Sequence, residues 1–338
     1  MTCIVVCSEI ANPEWRWIEG SFSHEKVRFN FERCEPRYKF ERNKWLNLAR
    51  IRGSYNAIRL ARKANAQALV THGPTLAVWC CIFASLTGLR IPILAHSFNF
   101  TGLPNASKRL LFSRALRRID RFVVFSKVER TLYARAFNLP TDRFDVVLWG
   151  VNRPKLDQPA DPLQPGAYVS AIGGNGRDYH ALLSAARTMP HIKFVLVVRP
   201  ENLHGLDVPP NVVAHQNLPS GLSMNVLFYS RFMVLPLADF DVPCGHVTVV
   251  AAMHLAKACI VTDSAGLHDY VRDGENALTV RGASVSDLAE KIELLWEDAG
   301  LRARLGENAR RFALRECGEE RIAQHFRAWL AGRRILVN

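Results

Sequence analysis

Short apolar runs alternate along this chain with longer stretches whose apolar positions recur every three or four residues. The runs Ile4–Cys7, Ala68–Thr71, Ile91–Ala95, Phe122–Phe125 and Val146–Trp149 read as buried parallel strands. Between them, Lys44–Asn65, Thr75–Thr87, Ser107–Arg118 and Lys127–Phe137 carry helical periodicity. The alternation resumes later, with strands at Tyr168–Ile172, Phe194–Val198, Val212–His215, Phe232–Leu235, Ala258–Thr262 and Leu278–Val280. Helices are expected at Tyr179–Arg187, Leu222–Tyr229, Val247–Leu255, Val285–Glu297, Glu307–Leu314 and about Glu319–Leu330.

Between the two sets lies Asn152–Gly166, with Pro154, Pro159, Pro162 and Pro165. Proline removes a donor and restricts its predecessor, so this segment predicts an extended linker. Two doubly wound α/β domains follow, Rossmann-like in pattern, over residues 1–153 and 154–318. A terminal helix over about 319–338 is open to packing back on the first. Ligands of such sheets bind beyond the carboxyl ends of the strands, so a site in a cleft between the domains is expected.

The 338 residues suffice for two domains, and 49% hydrophobic content suffices for real cores. The apolar run Leu76–Leu86 is too short to span a bilayer, and the start MTCIVVCSEI lacks a signal-peptide pattern. Eight cysteines without a paired framework suggest reduced thiols and a cytoplasmic protein. Charge is uneven: residues 1–150 hold 24 Lys and Arg against 11 Asp and Glu, whereas residues 151–338 hold 20 against 20. An anionic partner for the first half is one reading, a solvated basic surface the other. Within that half, Leu110, Leu111, Phe112, Ala115 and Leu116 share much of one helical face. Lys108, Arg109, Arg114, Arg117, Arg118 and Arg121 flank it. Such a helix suits an anionic bilayer, or an ordinary core-facing role.

Three segments carry candidate chemistry. Ala171–Tyr179, AIGGNGRDY, places Gly173, Gly174 and Gly176 between a strand and a helix, where backbone can approach a ligand. Arg177 suits a phosphate or carboxylate, or an ion pair with Asp178. Gly245, His246, Val247 and Thr248 form a presumed strand-to-helix turn, where unpaired N–H groups favour an anion. In the first half, His96 ends a strand and could hydrogen-bond or move protons, or serve the loop alone; His72 is a second such histidine. No histidine pair has a metal-ligand spacing, so no metal is expected.

The order of parts over 167–316, from GGNGRDY through Asp239–Ala277, resembles the donor domain of GT-B glycosyltransferases, in particular the retaining family 4 (group 1) enzymes. The resemblance implies a nucleotide-diphosphate sugar as donor substrate, with no other cofactor. It implies donor contacts from Gly173, Gly174, Gly176, Arg177, Arg199, Leu218 and Gly245–Thr248, and a histidine, here His96, facing the donor sugar. The family carries two glutamates, one on the sugar and one on the ribose, the latter just before an Ala-Met pair. That pair is Ala252–Met253, but Ala251 and Pro243 stand where the glutamates would be. Asp239 or Asp241 is a candidate replacement. The implied function is transfer of a sugar to a saccharide or lipid-linked acceptor in cell-surface polysaccharide synthesis, by a cytoplasmic protein peripheral at the inner face of the plasma membrane. The alternative is a non-catalytic nucleotide-sugar binder or scaffold of the same fold. A dinucleotide oxidoreductase is disfavoured because no GxGxxG follows Ile4–Cys7, and no nucleic-acid-binding signature is present.

Overall fold

The computed structural model describes residues 1–10, 12–36, 41, 47–151, 161–238, 243–282 and 284–336. The chain divides into two compact units, Met1–Val147 with Glu319–Asn338, and Leu148–Gly318.

The first unit is built on strands β1 (Thr2–Ser8), β2 (Val27–Arg33), β3 (Ala68–His72), β4 (Ile93–His96), β5 (Arg121–Val124) and β6 (Phe144–Val146). They form one parallel sheet in the order β2-β1-β3-β4-β5-β6. Helices α1 (Leu48–Lys63), α2 (Pro74–Leu86), α3 (Ala106–Leu116) and α4 (Lys127–Phe137) connect the later strands. Side-chain caps start several of them: Asn47, Asn105 and Ser126 each accept a first-turn N–H. Helix α10 (Glu319–Gly332) belongs to this unit. Its Phe326 packs edge-on against Trp17 and Phe22, and Trp329 Nε1 donates to Asp120 Oδ2 at 2.6 Å.

The second unit repeats the architecture with β7 (Val169–Ile172), β8 (Phe194–Val198), β9 (Val212–Gln216), β10 (Phe232–Leu235), β11 (Cys259–Thr262) and β12 (Leu278–Val280). The order is β12-β11-β10-β7-β8-β9, again all parallel. Helices α5 (Tyr179–Thr188), α6 (Ser220–Tyr229), α7 (His246–His254), α8 (Val285–Glu297) and α9 (Ala299–Glu316) complete it. Both faces of this sheet are covered by apolar clusters, one including Met233, Leu235 and Ala251, the other Leu196, Val234 and Ile260. This is the all-parallel condition that makes strands read as continuous apolar runs.

Two expectations need correction. Strand β2 was not expected, because Val27, Phe29 and Phe31 alternate with Arg28, Asn30 and Glu32 at the sheet edge instead of forming an apolar run. The sixth strand is Phe144–Val146, not Val146–Trp149; the chain from Leu148 packs with the second unit, where Trp149 N donates to the Tyr270 hydroxyl at 2.8 Å. The apolar face of helix α3, for which a bilayer and a core role were both open, is divided: Leu116 is buried, whereas Leu110 and Leu111 are 70% and 58% exposed. Of the proline linker, residues 152–160 lie outside the described residues.

Candidate functional site

The candidate anion site of the second unit is assembled where β7, β8 and β10 end. After Ile172 the chain turns through Gly173, at φ +119°, and Gly176, at φ +60°. These angles strain any residue with a Cβ. The Arg177 side chain then folds back over the turn. Its Nη1 donates to Asn175 O at 2.7 Å, and Nη2 donates to Thr248 Oγ1 at 3.1 Å. A Cβ on Gly173 would lie 2.5 Å from Arg177 Nη2, and one on Gly174 would lie 2.7 Å from Arg199 Cγ. The two glycines therefore make room for two arginines. The loop is tied to the end of β10 by Ala238 N donating to Gly176 O at 3.1 Å.

Arg199 follows β8, and its N–H donates to Asn202 Oδ1 at 3.0 Å, while Asn202 Nδ2 donates to Gly174 O at 2.9 Å. Asn202 is a positioning residue that the sequence reading missed. Its signal is an amide three places after Arg199, closing a capping box on one side and the glycine loop on the other. Leu218 follows β9, which pairs with β8 up to Val198 and Gln216. It is partly buried against the core.

Helix α7 begins at Gly245, whose φ is +95° and whose added Cβ would stand 3.1 Å from Leu235. Thr248 N and Val249 N both donate to Gly245 O, at 3.1 and 3.0 Å, and the start of the helix carries the partial positive charge of its dipole. Val247 is 50% exposed at this turn. His246 is buried, stacked on Tyr270 at 6.2 Å, and its pKa is lowered to about 4 by burial and then by the Arg177 charge. Its ring is therefore neutral at neutral pH. Arg177 is itself held below its usual pKa by burial, and no carboxylate among the described residues pairs with it. A half-buried guanidinium bonded to neutral oxygens and to the Cys244 thiol, with no carboxylate partner among the described residues, can gain energy from an incoming anion.

Ala251 is buried in the core of this unit, and Gly266 packs so closely on Pro243 that an added Cβ would stand 2.3 Å from the Pro243 Cβ. Both positions are apolar packing, with no carboxylate. Asp239 and Asp241 lie outside the described residues.

His96 is in the first unit, at the carboxyl end of β4, in register with His72 on β3. It is buried; Nδ1 lies 3.0 Å from Ser97 Oγ, and Nε2 has no partner among the described residues. Burial, then the neighbouring His72, hold its pKa well below the usual value, and burial brings His72 to about 3. Both rings are neutral near pH 7. Among the described residues no three His, Cys, Asp or Glu side chains gather as a metal site.

Residues 206–312 match the family described as glycosyl transferases group 1. Over 189 residues, 54% of this chain, the sequence is 26% identical to the lipopolysaccharide core biosynthesis glycosyltransferase LpsE of Rhizobium meliloti (strain 1021). Over 80 residues, 24% of this chain, it is 36% identical to the N,N'-diacetylbacillosaminyl-diphospho-undecaprenol alpha-1,3-N-acetylgalactosaminyltransferase of Campylobacter jejuni. The chain spans 54% and 21% of those relatives' own lengths. In fold it is similar to Anabaena Alr3699/HepE, solved in complex with UDP-glucose. The TM-score is 0.71 at 12% identity, covering 98% of this chain and 100% of that one. The chain therefore has the fold of the GT-B glycosyltransferases, and its residues 206–312 match the group 1 glycosyl transferases.

Proposed function

We propose that this protein is a glycosyltransferase. It moves a sugar from a nucleotide-diphosphate donor to a saccharide or lipid-linked acceptor in cell-surface polysaccharide synthesis, with retention at the anomeric carbon. One observation carries the reading: Arg177 bonds Thr248 across 71 positions of sequence, joining the glycine loop to the start of α7. The two anion-attracting elements thereby act as one. The departing diphosphate would be stabilised there by helix N–H groups and by Arg177, charge stabilisation that needs no other cofactor. The relatives' names support a saccharide product and a lipid-linked acceptor, and the UDP-glucose complex makes a uridine donor the first to try. We place the protein in the cytoplasm, held to an anionic membrane face by the basic half; no helix among the described residues is long and apolar enough to cross a membrane.

A thermal-shift screen of UDP-, GDP-, ADP- and dTDP-sugars tests donor binding, because a ligand of the folded state raises the melting temperature. Product NMR with the stabilising donor then reads transfer and anomeric configuration. The second reading, a binder without transfer, is favoured by Ala251 and Pro243 where the family's glutamates would stand. A donor that stabilises the protein but is never turned over would select it.

A further inference from the structure

The first unit holds a cavity of about 980 Å³ at the amino-terminal edge of its sheet, the end opposite His72 and His96. It opens where Ile91 and Pro92 lead into β4 and Asp120 leads into β5. Six arginines line it: Arg90, Arg117, Arg118, Arg121, Arg143 and Arg333. The one acidic lining residue is Asp120.

Their existing bonds decide which of them are available. Arg118 donates to Leu89 O, and Arg333 pairs with Asp120. Arg121 is held by Asp145, with Nε to Oδ2 at 3.0 Å, and by Asp142 O at 2.6 Å. Arg143 lies over the Phe122 ring at 5.7 Å and donates to Arg117 O at 3.2 Å. Arg90 and Arg117 are exposed, and their guanidinium groups have no partner among the described residues; Arg117 accepts from Arg143 through its backbone carbonyl. Two arginines are therefore fixed by carboxylates and two by backbone, while two remain to meet a ligand. Leu89, Ile119 and Ile335 add apolar wall.

We propose that this cavity is a second anion site, which binds a phosphate-bearing ligand away from the donor turn. Guanidinium forks match phosphate oxygens in pairs, and a group carrying more than one charge suits an excess of positive lining. The volume accommodates a ligand larger than a lone ion, and the apolar wall gives a carbon body a surface to cover. The site stands on the first unit alone and does not depend on the proposed transferase activity.

The test uses full-length protein carrying Arg177→Ala, which removes the competing arginine of the donor turn. Pyrophosphate binding is measured by calorimetry in this background and after adding Arg90→Glu and Arg117→Glu, with Arg90→Ala as a milder variant. Both sites are exposed, so melting temperatures should match. The expected result is saturable binding that weakens at least tenfold on charge reversal, with citrate weaker than pyrophosphate. Competition by phosphatidic acid vesicles, but not phosphatidylcholine vesicles, at matched ionic strength would make the source a lipid headgroup; no competition would make it a soluble phosphate. Absent binding, affinity unchanged by charge reversal, or citrate binding as tightly as pyrophosphate would overturn the site.

Discussion

At the scale of single residues, the proposed donor site depends on contacts that glycine permits and arginine makes. Arg177→Ala should weaken nucleotide binding by roughly 10- to 100-fold, since a hydrogen bond to a charged group is worth about 1.5–3 kcal/mol. Gly173→Ala should do much the same without touching the ligand, because its Cβ would displace the Arg177 guanidinium at 2.5 Å. Calorimetric titration with UDP in both variants is decisive; wild-type affinity in either folded protein removes the residue from the site. The missing glutamates give a second expectation. If Asp239 or Asp241 replaces the sugar-facing carboxylate, its alanine variant should lose kcat far more than donor affinity, the signature of a contact strengthened in the transition state. Full turnover by the double variant would end that idea. The sequence showed that GGNGR could meet a phosphate. It could not show that Arg177 reaches Thr248, since a partner 71 positions away is fixed only by the sheet order.

At the scale of elements, strands were legible where burial on both faces makes a continuous apolar run, as in Val234 and Leu235 of β10. They were obscure where an edge strand alternates, as in β2, or where the chain leaves the sheet early, as in β6. Helix α4 shows a further property invisible to periodicity. Its Ser126 cap and Glu129 form a buried turn: Ser126 Oγ accepts from Glu129 N at 3.1 Å, and the Glu129 carboxylate accepts from Phe125 N at 2.7 Å and from Asn99. Burial outweighs these bonds and raises the Glu129 pKa from 4.5 to about 7. Below pH 4.5 both folded and unfolded chains hold the proton. Between 4.5 and about 7 the unfolded carboxyl loses it while the folded one keeps it, so this group's contribution to stability falls as pH rises. The total loss is on the order of 3 kcal/mol and is complete above about pH 7. Urea unfolding at pH 5 and pH 8 should therefore show Glu129→Gln relatively more stable at pH 8 than wild type. Parallel pH profiles for the two proteins would show that Glu129 folds ionised.

At the scale of the whole molecule, the charge asymmetry between residues 1–150 and 151–338 was legible from composition, but its purpose was not. Exposure narrows the choice. Leu110 and Leu111 on α3 face solvent beside exposed Arg114 and Arg117, so this part of the helix, unlike Leu116, is not explained by packing against the core. Two exposed leucines and several arginines together offer apolar insertion and electrostatic attraction, the latter about 1 kcal/mol per basic residue near an anionic surface. Wild-type protein is expected to sediment with phosphatidylglycerol vesicles and not with phosphatidylcholine. Raising salt to 1 M, where the Debye length falls to about 3 Å, should release most of it. Leu110→Ser/Leu111→Ser should bind more weakly at low salt and be released at lower salt than wild type, because only the charge term remains. Arg114→Glu alone should reduce binding with little change in melting temperature, since that side chain is exposed and unpaired among the described residues. Binding that ignores lipid charge, or is untouched by both changes, would move the role of the basic half away from the membrane and towards soluble anions.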